Sequence, residues 1–288
     1  MAHYGQSLKK VRKNKHLSQQ KVATTALSQA AYSNFEAGKS DIGSAAFVHL
    51  LNQLQLTFEE LDYLQNGCQF GESDHLIQRF FRLPYNNKTE IQDLIRSIDM
   101  SLEAVPNNYL MEIRQVCEAL LILETSGSLN DAREKVQHVW ERISNYDQWY
   151  LMDIKLLNAM LYFFDSDTVI PLADKLLERL SEYNGFADAI KLSITIQINS
   201  SMILIQNGAY TAARTRLDRL LKKQLRQLPY PSLAVCCSRL AICCSHIDLD
   251  HAAYHYDKAV ALLKLYEDDH LLQMIQEEYS KYSKPEVV

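Results

Sequence analysis

The sequence has no run of about 18 uncharged apolar residues, the length a membrane-spanning helix needs. Its first fifteen residues, Met1 to Lys15, are polar and basic and contain no apolar stretch like that of a signal peptide. Both absences argue against a membrane or exported protein, so the expected location is the cytoplasm, with no membrane partner. Glycine and proline are scarce, 8 and 6 of 288 residues, while hydrophobic residues make up 47% and charged residues 23%. That balance excludes a disordered chain and disfavours an all-β one, and it predicts a helix-rich globular protein.

The six cysteines form no CxxC pair. Two adjacent pairs, Cys236-Cys237 and Cys243-Cys244, repeat at a spacing of about two helical turns, which suits a buried helix stripe better than a disulfide framework, so reduced thiols are expected. Phosphate-cradling, dinucleotide-binding, zinc-protease and nucleophile-elbow motifs are all missing. His251 and His255 stand four apart with His246 and Cys243 nearby, but no carboxylate or CxxC completes a rigid ligand set. The sequence therefore predicts no enzyme, no metal and no cofactor. Asp268-Asp269 and Glu277-Glu278 read as solvated acid.

The net charge of −5 conceals an asymmetry. Residues 1–40 carry Lys9, Lys10, Arg12, Lys13, Lys15, Lys21 and Lys39 against Glu36 alone, a net +6, which leaves −11 for the remainder. A basic head on an acidic body fits a head that binds a polyanion and a body that avoids it.

Within the head, Leu8, Val11 and Leu17 give a short amphipathic helix from Gly5 to His16 with a positive wet face. Ser18 is an N-cap for a second helix, Gln19 to Thr25, and Ser28 for a third that stops at Gly38. Ala46 to Leu54 predict a fourth helix, and Thr57 caps a fifth running to about Asn66. The segments Leu17-Ser18-Gln19-Gln20-Lys21-Val22-Ala23 and Leu27-Ser28-Gln29-Ala30-Ala31-Tyr32 resemble the five-helix DNA-binding domain of Cro and phage-repressor regulators. The corner between the two helices is one residue shorter than usual there. With Ser33-Asn34-Phe35-Glu36-Ala37-Gly38-Lys39-Ser40-Asp41-Ile42, this resembles the Rgg/MutR family of peptide-responsive regulators of Gram-positive bacteria. Where some members carry a cysteine shortly after this element, Gly43-Ser44-Ala45-Ala46 has none.

A helix-turn-helix of this kind lays its recognition helix in the major groove, where amides pair bidentately with adenine and small residues meet the thymine methyl. The candidates for reading bases are Gln29, Ala30, Ser33 and Asn34. Arg12, Ser18, Gln19, Ser28 and Lys39 would hold phosphates and set register.

Gly67 to Glu72 marks a seam. The expected divisions are a DNA-binding domain at 1–66, a linker with a short helix at 67–86, broken at Leu83-Pro84-Tyr85-Asn86-Asn87, and a repeat domain at 87–288. In the body, Gly127-x-Leu129-x-x-Ala132, Asp167-x-Val169-x-x-Leu172, Gly208-x-Tyr210-x-x-Ala213 and Ile247-x-Leu249-x-x-Ala252 superimpose. Their form resembles the turn of a tetratricopeptide repeat, with a period near 40 rather than about 34 residues. The predicted fold is thus all-α, a five-helix head followed by a superhelix of helix pairs whose first helices, near 106–125, 147–164, 186–206 and 230–246, line a concave groove.

Asn158 and Asn199 sit among apolar neighbours on these first helices. A buried amide needs a partner, either the protein's own backbone or an extended ligand. With Tyr162, Gln197, Met202 and Arg239 they form the candidate peptide site, whereas Phe163, Phe164, Leu204 and Ile205 read as core. The expected assembly is a homodimer on an inverted-repeat operator of double-stranded DNA, since a single small head rarely buries enough surface for specific binding. The resemblance implies dimerisation through the repeat domain and control by a short hydrophobic peptide in quorum sensing. The rival readings are a repeat scaffold that docks a protein partner, and a DNA-binding repressor with no peptide ligand.

Overall fold

His3 accepts a hydrogen bond at Nδ1 from the Gly5 N–H and so starts the first helix, α1 (Tyr4–Asn14). A computed structural model describes residues 3–83, 87–248 and 251–284, and every regular element among them is helical. Ser18 Oγ accepts from the Lys21 N–H and opens α2 (Gln19–Ala23). Ser28 Oγ accepts from Ala31 and opens α3 (Gln29–Glu36). α4 (Ser44–Gln53) begins at Gly43 without a side-chain cap, and Thr57 caps α5 (Phe58–Gln65). The second helix ends two residues earlier than its pattern predicts, because Thr24 turns to φ +44° and cannot continue it.

α3 closes with Gly38 at φ +72°: the Gly38 N–H donates to Phe35 O and the Lys39 N–H to Asn34 O, the paired bonds of a Schellman stop. Leu8, Val22, Tyr32, Phe35, Leu50, Leu54 and Leu61 fill the core that α1 to α5 enclose. α1 crosses α3 so closely that a Cβ at Gly5 would stand 2.0 Å from Phe35 O.

α6 (Glu72–Arg82) and α7 (Lys88–Ala104) follow, and the break expected at Pro84, Tyr85 and Asn86 lies outside the described residues. Contacts divide the chain into two compact units, one of residues up to Leu83 together with Arg96–Leu110, the other of Pro84–Ile95 with Met111 onward.

The second unit is a succession of helix pairs, in three of which the first helix is the longer. α8 (Asn108–Ser126) pairs with α9 (Leu129–Ser144), and α10 (Leu151–Met160), extended by a 3-10 turn at Leu161–Phe163, with α11 (Ser166–Ser181). α12 (Ala187–Gln206) pairs with α13 (Tyr210–Gln224), α14 (Tyr230–Ile247) with α15 (Ala252–Leu265), and α16 (Asp269–Tyr282) is the last helix among the described residues. The aligned positions Ala132, Leu172, Ala213 and Ala252 are all buried at the start of second helices; three are alanines, which let the two helices of a pair approach closely, and the second pair takes a leucine there. Leu249, in the fourth turn, lies outside the described residues. Cys236 to Ser245 are buried without interruption, so α14 has no wet face and runs through the interior of the stack. The expected core residues Phe163, Leu204 and Ile205 are buried there as well. Among the described residues no helix is long and apolar enough to cross a membrane, and no group of three or more His, Cys, Asp or Glu side chains is placed to hold a metal.

Candidate DNA-contacting surface and ligand groove

In the head, the two serines that cap α2 and α3 spend their oxygens on backbone N–H groups and keep their hydroxyl protons for an outside acceptor. Gln29, Ala30 and Asn34 are exposed and Ser33 half-buried, on the face of α3 opposite Tyr32 and Phe35, and Lys39 is exposed just past the helix's end. Sequence periodicity alone separates these faces, because Tyr32 and Phe35 lie three apart and face the core.

Arg12 lies elsewhere than expected. It is buried, its Nε 2.6 Å from Glu36 Oε1, Nη2 2.8 Å from Oε2, and Nη1 2.7 Å from Leu17 O. All three nitrogens are committed inside the domain, so Arg12 joins α1 to α3 instead of meeting a phosphate. Gln19 Nε2 donates to the same carboxylate at 2.9 Å, which ties α2 to the pair and leaves Gln19 only half-exposed. Burial pushes the Glu36 carboxyl up, but the hydrogen bonds from Arg12 and Gln19 outweigh it and hold the group below the usual carboxylate range. The pair cancels its own charge. The head's excess of +6 therefore belongs to Lys9, Lys10, Lys13, Lys15, Lys21 and Lys39, of which all but the half-buried Lys9 are exposed.

In the second unit four of the six groove candidates come together. Asn199 Nδ2 on α12 donates to Asn158 Oδ1 on α10 at 3.2 Å, so the half-buried amide of Asn199 meets the buried one of Asn158 across the helix interface. Arg239 on α14 sends Nη1 to Ile198 O at 2.7 Å, beside Asn199. Tyr162 lies within electrostatic range of Arg239, and burial raises its phenol above the ordinary value.

The other two candidates do not belong. Gln197, two residues from Asn199 and so turned about 200° away from it, directs Nε2 to Ser193 O and toward Gln224 on α13. Met202 is buried in an apolar cluster with Leu204, Ile205, Ala213, Ile242 and Cys243. Both are packing groups.

Glu278 was missed. It is not solvated acid: its carboxylate meets Arg239 Nε at 2.8 Å and Nη2 at 3.0 Å. Asp268 likewise caps α16 and accepts from the Tyr230 hydroxyl at 3.1 Å. Neither role has a local signal, since Arg239 and Tyr230 stand 39 and 38 residues away from their partners.

A capped pair of short helices with an exposed polar face, on a core of this pattern, defines a helix-turn-helix DNA-binding protein. The general helix-turn-helix model matches residues 8–61, and the C-terminal domain model of the HTH-type transcriptional regulator Rgg matches 85–228. The chain belongs to the Rgg family of transcriptional regulators.

Solved structures share its fold along nearly the whole length. A transcriptional regulator from Listeria monocytogenes EGD-e is 17% identical with a TM-score of 0.78, covering 98% of each chain. The pheromone receptor Rgg2 of Streptococcus dysgalactiae is 18% identical with a TM-score of 0.72, over 96% of this chain and 99% of that one. PlcR of Bacillus thuringiensis, solved with the peptide PapR7 and DNA, is 11% identical with a TM-score of 0.69, over 96% and 99%.

Proposed function

We propose that this regulator is a cytoplasmic homodimer that reads an inverted-repeat operator with its head, residues 1–66, and binds a short hydrophobic peptide in its repeat domain, residues 87–288, with 67–86 joining them. Gln29, Ala30, Ser33 and Asn34 read base edges, while Ser18, Ser28, Gln19 and the exposed lysines, Lys39 among them, hold phosphates. Two heads are needed because one small module buries too little surface for specific binding.

The observation that carries the peptide reading is the Asn158–Asn199 pair. After this one bond Asn158 keeps both Nδ2 protons and Asn199 one, and both oxygens keep acceptor capacity, which suits the alternating N–H and C=O of an extended backbone. The likeness to Rgg2, a pheromone receptor, and to PlcR with its bound peptide supports the same reading. Titration of the full chain with synthetic peptides from short reading frames next to its gene tests it. One peptide should bind, and Asn158→Ala should weaken it by about tenfold, the worth of one hydrogen-bonding group. Absence of binding to native and variant protein alike ends the peptide reading.

A further inference from the structure

The inner face of α12 and α14 is already occupied by the chain's own last helix. Arg239 is buried, with its side chain 10% exposed. Burial disfavours its charge, and the Glu278 carboxylate restores it. The bond from Nη1 to Ile198 O fixes the plane of the guanidinium, so that Nε and Nη2 face the Glu278 oxygens side by side, the two-pronged geometry that fits a carboxylate.

Next to this fork, Tyr279 and Tyr282 pack on the apolar cluster of Met202, Leu204 and Ile205, and the Tyr282 carbonyl lies 2.9 Å from His246 Nε2. α16 thus presents a carboxylate to Arg239 in the groove and two aromatic rings to the packed cluster beside it. Ile275 is its one buried residue among those described, so α16 lies largely at the surface, and an element with little buried area opens at lower cost than the core helices. Arg239, by contrast, cannot be left without an anion while it stays buried.

Resting on the peptide reading above, we infer that Arg239 is an anion anchor for the ligand's carboxylate, and that Glu278 is its intramolecular stand-in, exchanged for the peptide when α16 lifts away. The ligand class is then an apolar peptide bearing a carboxylate, at its free C-terminus or on an internal acidic side chain. A ligand without one would leave Arg239 buried and unpaired, and would have to bind with α16 still in place.

Three pools of apolar peptides of about eight residues test this on the full chain: one with free C-termini, one C-terminally amidated, and one amidated with a single internal Asp. Retention is read by mass spectrometry after size-exclusion capture, and hydrogen exchange is followed across α16. Free-acid peptides, Asp-containing amides or both should be retained about tenfold over plain amides, and should speed exchange in α16. The pool that succeeds identifies the source of the carboxylate. Glu278→Gln should raise that retention about tenfold further, and the double change Arg239→Gln with Glu278→Gln, which leaves no buried charge unpaired, should abolish the preference for acids. Equal retention of acids and plain amides, unchanged by Glu278→Gln, overturns the exchange while the peptide reading stands. No retention of any pool by any variant removes both.

Discussion

Arg12 on α1 and Glu36 on α3 meet through two hydrogen bonds of 2.6 and 2.8 Å inside the head, and Gln19 on α2 completes the set at 2.9 Å. One carboxylate therefore ties three helices together, including both members of the helix-turn-helix. Removing one partner of a buried pair leaves the other charged and dry, so Glu36→Gln should cost about 3 kcal/mol of head stability. Native-state hydrogen exchange of amides in α1 to α5 measures it on the full chain. The acid limb follows from the sign of the shift. The folded carboxyl ionises below its unfolded value, so its contribution is complete above the ordinary carboxylate pKa, about 4.3, and fades as the pH falls through the folded value. Native protein should lose head protection on acidification through that window, whereas Glu36→Gln starts lower and shows a flatter dependence.

Gly5 is a packing position. Its Cβ would stand 2.0 Å from Phe35 O, a backbone atom that cannot step aside without moving α3. Gly5→Ala should therefore destabilise the head by about 2 kcal/mol, in the range of core overpacking, and weaken DNA binding with it. Gly38→Ala, at φ +72° with the His3 ring at an ordinary contact distance of 3.8 Å, should cost only about 1 kcal/mol, from backbone strain alone. Urea unfolding followed by head-specific exchange ranks the two.

Base reading and phosphate holding separate experimentally. Gln29→Ala and Asn34→Ala should each lose about 1–3 kcal/mol of discrimination at one base position. Lys39→Ala should weaken all sites alike and reduce the salt slope by about one. Binding isotherms on single-base operator variants at several salt concentrations distinguish these patterns, and loss of sequence preference in Lys39→Ala would reverse the assigned roles.

The thiols should be unequal. Burial pushes Cys117, Cys236 and Cys243 up to about 12 and also raises Cys237 and Cys244, while Cys68 is exposed. Iodoacetamide at pH 8 should alkylate Cys68 in native protein and reach the others only after unfolding, because the thiolate is the nucleophile. Peptide mapping of the alkylated protein gives the count, and early modification of the Cys236 to Cys244 stripe would contradict its burial.

Much of this architecture was legible beforehand because its causes are local. Ser18, Ser28, Thr57 and Gly38 announce helix ends by their own chemistry, and Ala132, Ala213 and Ala252 fall in register with the repeat because a close approach of paired helices favours a small residue there. Asn158 and Asn199 stood out by polarity among apolar neighbours. What escaped was decided by distant partners. Arg12 looked like one more cation of a basic helix until Glu36, 24 residues on, claimed it. Gln197 shared an apolar stretch with Asn199 but faces the other way, and Glu278 looked solvated until Arg239, 39 residues away, met it. Composition and periodicity report whether a residue prefers water, and they are silent on which particular partner removes it from water.

The central claim is that the exposed polar face of α3 reads sequence. Selection of a randomised duplex library by the full-length protein, repeated with a Gln29→Ala, Asn34→Ala double variant, tests it most directly. Native protein should enrich an inverted repeat with half-sites about one helical turn apart, and the variant should lose that enrichment while retaining salt-sensitive binding to any duplex. Enrichment that survives unchanged in the variant, or no enrichment by native protein, would contradict the account.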